Sequence, residues 1–512
     1  MTVINPSSIS GITSITMPSG DGNVLTIHTN DGTERFRIDS SGNVKVGTAA
    51  TISPDGDLFV TGVCTATTLA GSGANLTSLP AANLTGALPA ISGANLTGIA
   101  ATDNVRTGIL EVAGIATFSS DVKIGAAVTI SESGIEASGI GITCANINGT
   151  QIGGRRNIII NGAMNVAQRG TSSTSDGYQT VDRFRPDSGG EDETPEQRQA
   201  NLGTGDTGPY EEGFRKAFKI TNGNQTSGAG AADYIQIEHR IEAQDLATSG
   251  WNYTSSSSFI TLSFWVKSSV SQKFQITVKA YDGTSQSFQF ETPTLSANTW
   301  TKVVKTIPGN SNLTINNDNG VGLSIFWFPY IGTDYTDAGN TLDGWQASSG
   351  STYGVVDDTS WYTTNDATFE ITGVQLEVGS QATPFEHISY AENKRLCMRY
   401  FEKIDNGYNT GDNNYYYFGP GYFEADNNLR GMITYKEQKR ATPTITFSDA
   451  GTFNAINTSS MPDGSSIGAQ YINTVNTGYT LVTGSVSGRD GQSGLLVADN
   501  TKDAYVLVDA EL

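Results

Sequence analysis

FITLSFWVKSS, Phe259 to Ser269, puts Ile260, Leu262, Phe264 and Val266 at every second position, with Phe259, Thr261, Ser263 and Trp265 between them. Side chains of an extended strand alternate between faces, so the first set forms one apolar face and belongs in a core. Comparable runs recur on either side: FRKAFKI, YIQIEHRI, KFQITVKAYD, TWTKVVKTI, VGLSIFWFPYI and ATFEITGVQLEV, separated by turns rich in Gly, Asn and Ser. That spacing predicts an antiparallel β-sandwich over residues 155–388 and makes the chain mainly β.

The aromatic residues show where an ordinary core can form. Before Arg155 the chain has only Phe36, Phe59 and Phe118, while all six Trp and all twenty Tyr come after it. Burying a large side chain contributes roughly 1.5–3 kcal/mol, whereas ordering each backbone residue costs about 1–2 kcal/mol. Side chains of Ala and Thr size do not offset that within one chain. The segment still carries strand and turn grammar: Phe36 and Ile38 alternate with Arg35, Arg37 and Asp39, and Asp31-Gly32 and Gly42-Asn43 supply hairpin turns. VKVGTAATISPDG (Val44 to Gly56) recurs as VKIGAAVTISESG (Val122 to Gly134), a repeated β unit at an offset of 78. Between the copies, Ala-Asn-Leu-Thr tetrads begin at Ala74, Ala82 and Ala94, a spacing too irregular for a pentapeptide solenoid. Leu76, Leu84 and Leu96 are expected to pack against the same residues of sister chains around a three-fold axis. The alternative is a flexible linker.

Composition narrows the partners. With 30 basic and 51 acidic residues the net charge is −21, which repels a nucleic-acid backbone or an anionic membrane surface. No run of about 18 apolar residues is present to span a bilayer, and the opening MTVINPSSISGITSI has no signal-peptide pattern. Cys64, Cys144 and Cys397 are too few and too scattered for a disulfide framework or a metal knuckle. His28, His239 and His387 are isolated, and no Gly-x-Ser-x-Gly elbow appears, so neither a cofactor nor a metal nor a nucleophilic triad is expected.

Toward the C terminus, SYAENKRLCMRYFEKI reads as a helix with Ser389 as N-cap, Glu392 three residues later, and Leu396, Tyr400 and Ile404 at steps of four. GYNTGDNNYYYFGPGYFEADNN follows, with the Tyr, Asn, Gly and Asp composition that suits recognition surfaces, although a structural hairpin reads equally from it. Asp412, Asn413, Tyr415, Tyr417 and Tyr422 are the candidate receptor contacts there. AYVLVDAEL alternates as a closing strand would, with Val506, Val508 and Ala510 on one side.

TERFRIDSSGNVKVG, NIIINGAMNVAQRGTSSTSDGYQTVDRF (Asn157 to Phe184) and TGVQLEVGSQATPFEHISYAENKRLCMRYFEK (Thr372 to Lys403) resemble segments of bacteriophage tail fibre proteins, especially those of cyanobacterial and marine phages. The resemblance implies a homotrimeric virion appendage, assembled in the host bacterial cytoplasm. Its N-terminal part would join tail or baseplate proteins and its distal part a host surface polysaccharide or lipopolysaccharide. LSFWVKSS, with the later NTWTKVVKTI and FEITGVQLEVG, is similar to the jelly-roll sandwiches of carbohydrate-binding modules, in which exposed rings cover sugar faces. Trp345, Tyr353 and Trp361, in the loop-like stretch Gly332 to Ala367, are candidates for that role.

The expected organisation is an elongated trimeric fibre. It comprises a virion-attachment hairpin region (1–70), a small-residue shaft (71–154), the sandwich (155–388), a connecting helix (389–405) and a distal β-rich receptor-binding tip (406–512). The expected function is host attachment without catalysis, the alternative a tail-associated depolymerase cutting host polysaccharide. A cellular adhesin would need an export signal.

Overall fold

A computed structural model describes residues 22, 24–68, 70, 122–124, 128–131, 134–137, 146–147, 150–151, 155–355, 358–405, 416–457, 461–498 and 503–512. The chain divides into two compact units, Met1–Thr117 and Phe118–Leu512, and is mainly β.

In the first unit, strands Leu25–His28, Glu34–Ile38, Val44–Val46, Ala50–Ile52 and Leu58–Val60 form a five-stranded antiparallel meander in chain order. Gly32 and Gly42 take the left-handed backbone that their turns require, at φ 83° and 87°. Pairing aligns Leu25, Ile27, Phe36, Ile38, Val44, Val46, Ala50, Ile52, Leu58 and Val60 on one face. None of these ten is buried, and Ile27, Val46 and Leu58 are each more than half exposed. Among the described residues the sheet therefore has an apolar face and no buried core. Leu76, Leu84 and Leu96 lie outside the described residues.

The repeated sequence is a repeated hairpin. Val44 pairs with Ile52, and 78 residues later Val122 pairs with Ile130, so the copy keeps its register.

In the second unit, the predicted sandwich consists of two six-stranded antiparallel sheets. One runs, edge to edge, Ser172–Ser173, Glu196–Asn201, Lys216–Thr221, Thr368–Val378, Phe259–Ser268, Thr301–Pro308; the other Phe184–Gly189, Tyr234–Glu242, Val321–Ile331, Gln275–Ala280, Gln286–Glu291, Trp345–Ala347. Ile260, Leu262, Phe264 and Val266 are fully buried between the sheets, as their alternation requires. They meet Ile276, Val278, Leu323, Ile325 and Trp327 of the facing sheet. The chain enters and leaves this sandwich at adjacent points: the backbone N–H groups of Arg156 and Asn157 both donate to one carboxylate oxygen of Glu386, at 3.0 and 2.7 Å.

A second, smaller sandwich follows. Its three-stranded sheet runs Phe401–Asp405, Tyr505–Asp509, Thr444–Phe447, and its six-stranded sheet Phe453–Ile456, Ser493–Ala498, Tyr417–Ala425, Asn428–Thr434, Asn476–Thr483, Gly464–Gln470. Val506 and Val508 of the closing strand enter its core with Phe423, Phe453 and Leu481.

The helix between the sandwiches, Tyr390–Met398, is capped as read: Ser389 Oγ accepts from Glu392 N at 3.2 Å. The Glu392 carboxylate does not complete the reciprocal half of a capping box; it pairs with Arg395 at 2.9 Å. The helix also stops earlier than its four-residue spacing suggested. Phe401–Asp405 is a strand laddered to Tyr505–Asp509, so Ile404 lies on a sheet and not on a helical stripe with Leu396. Five cross-strand pairs hold that backbone extended and override the helical spacing of its side chains.

The joint between the two sandwiches is dense in charge. Arg399 grips Glu242 with two bonds of 2.8 Å, Arg183 pairs with Glu511, and Arg169 reaches Asp509 at 3.0 Å. The guanidinium of Arg169 lies 3.4 Å from the Phe401 ring centre and that of Arg183 3.6 Å from that of Tyr400. Asn161, in the left-handed region at φ 63°, donates to Val166 O and Asp182 O and accepts from Asn393 Nδ2. The two longer strings that carry the tail-fibre resemblance, Asn157 to Phe184 and Thr372 to Lys403, thus meet here.

Candidate functional site

The outer face of the second sheet of the large sandwich carries the most developed site. Along Tyr234–Glu242, Ile235, Ile237 and Ile241 point into the core, which leaves Tyr234, Gln236, Glu238 and Arg240 on the outside. The neighbouring strand Val321–Ile331 is apolar on both faces. Leu323, Ile325 and Trp327 enter the core, while Phe326, Phe328 and Ile331 form a separate cluster with Tyr335 and Tyr353 on the outside.

A long loop folds over this face and supplies the opposite wall. Thr277 Oγ1 donates to Tyr353 O at 2.7 Å, Gln289 Nε2 to Thr352 O at 2.5 Å, and Lys279 Nζ to Tyr353 Oη at 2.9 Å. Tyr353 N in turn donates to Tyr335 O at 3.2 Å, tying the loop's two ends together. The result is a groove with a cavity of about 210 Å³ lined by Tyr234, Gln236, Phe328, Ile331, Tyr335 and Tyr353. The rings stand nearly edge-on to each other: Tyr234 to Tyr335 at 5.5 Å between centres, Phe328 to Tyr353 at 5.8 Å.

Polar groups border the rings. Asp187, on the edge strand, accepts from Tyr234 Oη at 3.3 Å and pairs with Arg185 at 3.3 Å. Glu238 accepts from Arg185, Arg240 and Ser324 at 3.3, 2.9 and 2.8 Å. Burial, followed by the charge of Asp187, pushes the Tyr234 phenol up to about 12, so it stays a neutral donor. Apolar ring surface beside a few fixed carboxylate, amide and hydroxyl groups is suited to binding an amphipathic ligand and orienting it. Among the described residues no group of three His, Cys, Asp or Glu side chains is placed to hold a metal ion, and no helix is long and apolar enough to cross a membrane.

Of the candidates read from sequence, Tyr353 is a wall of this groove. Trp361 is not exposed: its ring is fully buried in the core and its Nε1 donates to Thr368 O at 3.0 Å, leaving no face for a ligand. Trp345 packs its ring on Phe288 and donates to Pro308 O at 2.7 Å, so it serves mainly as an edge of the core. Tyr417 and Tyr422 lie on the six-stranded sheet of the smaller sandwich, 60% and 52% exposed. A register shift after Tyr417 brings the two, five residues apart, to the same face of that sheet. Asp412, Asn413 and Tyr415 lie outside the described residues.

Tyr234, Gln236, Phe328 and Tyr335 were missed because the groove gathers them from segments some ninety residues apart. A signal was nonetheless present. YIQIEHRI alternates cleanly, placing Tyr234 and Gln236 opposite the isoleucines, and VGLSIFWFPYI is apolar at successive positions, which an open sheet face does not favour.

No protein-family model and no curated protein matches the chain. Solved structures similar to part of it include the enzymatically active domain of tailspike protein 4 of bacteriophage CBA120, at 9% identity over 43% of this chain with TM-score 0.23. The chain spans about a fifth of that domain's length, 21%. The N-terminal cellulose-binding domain of Cellulomonas fimi β-1,4-glucanase C is similar at 10% identity over 43% of this chain and 99% of its own, TM-score 0.21. A family 11 carbohydrate-binding module from Clostridium thermocellum, in complex with a mixed-linked tetrasaccharide, is similar at 10% identity over 42% and 98%, TM-score 0.20. Likeness at this level bears on neither activity nor ligand.

Proposed function

We propose that this chain is a homotrimeric tail-fibre-type attachment protein that holds a host-surface glycan in the groove lined by Tyr234, Phe328, Tyr335 and Tyr353. The groove carries the reading. A pyranose has an apolar face that a ring can cover and a rim of hydroxyls that Asp187 and Gln236 can satisfy, and the groove offers both. The apolar face of the first unit's sheet supports self-association, since none of its ten apolar side chains is buried and Ile27, Val46, Ile52 and Leu58 are exposed, which favours contact with copies of the same sheet. The resemblance of three separated strings to phage tail fibres supports a virion location and tail or baseplate partners. Weak single sites are sufficient in such an assembly, because linked copies raise avidity by about 10²- to 10⁴-fold.

Binding of the full chain to an immobilised panel of bacterial surface polysaccharides tests the reading. Tyr335→Ala is expected to weaken binding about tenfold, the loss of roughly one ring contact. Tyr417→Ala with Tyr422→Ala is expected to leave it intact. The reverse pattern would move the site to the smaller sandwich. The bound glycan is expected to stay uncut; reducing ends appearing on incubation would replace attachment by depolymerisation.

A further inference from the structure

Against the Tyr353 wall of the groove stands a cation with no ion-pair partner among the described residues. Lys279 lies in the outer row of the sheet with Ser324 and Arg240, four register pairs along the strand from the Phe328 floor. Its ammonium is 2.9 Å from Tyr353 Oη, 4.8 Å from the Tyr353 ring centre and 5.3 Å from that of Tyr281. An ammonium has three donors, and the one bond made here goes to a phenol. The nearby carboxylates are engaged elsewhere: Glu238 by Arg185, Arg240 and Ser324, and Asp187 by Arg185 and Tyr234. Among the described residues no carboxylate lies within ion-pair distance of Lys279.

Positive charge is therefore in excess only locally, at Lys279, whereas at the far end Asp176 and Glu191, both accepting from Ser188 Oγ, add to Asp187, in a chain whose net charge is −21. The excess sits beside two aromatic rings on a partly covered sheet, where a ligand anion would be partly shielded from water and its attraction correspondingly stronger. The acidic surface elsewhere does not oppose this, since charges farther than about 8–10 Å are largely screened at physiological salt. At the other end Asp187 disfavours an anion and accepts hydroxyls.

Resting on the groove as a glycan site, we propose that its ligand is an acidic glycan whose anionic substituent, a carboxylate or a sulfate, seats on Lys279 between Tyr281 and Tyr353. The neutral part of the sugar chain lies over Tyr234, Phe328 and Tyr335, so the groove reads both a charge and its distance from an uncharged ring.

Four polymers in two matched pairs test this with the full chain: polygalacturonate against its methyl ester, and dextran sulfate against dextran. The charged member of at least one pair is expected to bind about tenfold tighter, about 1.4 kcal/mol, and the pair showing the preference assigns the substituent. Lys279→Met is expected to erase that preference and Lys279→Arg to restore it, with thermal unfolding of both variants confirming that the loop still closes. Tyr335→Ala is expected to weaken both members of a pair alike. A preference that survives Lys279→Met overturns the acidic assignment and leaves the groove standing. Binding indifferent to Tyr335→Ala, or binding of none of the four, removes the groove reading and this one with it.

Discussion

Gly189 decides where the Tyr234 ring lies. A β-carbon at this position would stand 2.7 Å from Tyr234 Cε1, closer than non-bonded carbons approach. The obstacle is the end of a side chain, so Gly189→Ala is expected to cost less than about 1 kcal/mol of stability while swinging the ring out of the groove. Thermal unfolding and glycan binding, measured on the same sample, separate the two effects: a small change in Tm with roughly a tenfold loss of binding. Asp182 makes a different kind of prediction. Burial is the largest influence on its carboxyl and pushes it up to about 6, against the opposing bonds from Gln168. Its folded pKa lies above its unfolded one, so the folded state binds the extra proton, and its contribution is full below about pH 4 and lost as pH rises through 6. Asp182→Asn removes this titration. The variant's stability relative to the parent is expected to rise by about 2–3 kcal/mol between pH 4 and pH 7, read from denaturant midpoints at each pH.

At the level of elements, the helix cap and the joint can be tested separately. Ser389→Ala deletes the acceptor for Glu392 N and is expected to cost about 1 kcal/mol. Glu511→Gln should cost about 3–5 kcal/mol, because Arg183 is 1% exposed and is left with an uncompensated charge. Arg183→Met combined with Glu511→Leu should cost less than the two single changes together, a cycle that measures the pair. These elements also show how far the sequence could be read. Alternation alone placed Ile260, Leu262, Phe264 and Val266 inside, because a strand buried on one face repeats every two residues whatever lies around it. Ser389 was legible for the same reason: a cap is a local bond. Phe401–Asp405 was not, since its partner is a strand a hundred residues away and its own side chains fit a helical spacing. Trp361 looked like a loop aromatic because the turns around it are polar, yet burial of a large ring depends on neighbours that sequence proximity does not reveal. The groove failed to show for the reason the core did show. Its rings act together only once two strands and a loop have been brought to one place.

The whole molecule poses the question of what covers the first unit's apolar face. Val46→Glu with Ile52→Glu puts two charges into it, and light scattering of the full chain is expected to report loss of the proposed homotrimer, since each buried unpaired carboxylate costs several kcal/mol and three-fold symmetry repeats it. An unchanged mass would mean that this face is not where copies meet. The entry and exit of the large sandwich have a mechanical consequence. Tension applied across the sandwich from residue 155 to residue 388 meets the Glu386 carboxylate first. Arg156 and Asn157 share that one side chain, and Asn157 also bonds Val374 and Leu376 of the strand Thr368–Val378, so the pull is shunted across a few ångströms onto one of the twelve strands. In an optical trap, Glu386→Ala is expected to lower the force at which the sandwich opens, with the groove's grip on its ligand unaltered until the sheets begin to carry the strain.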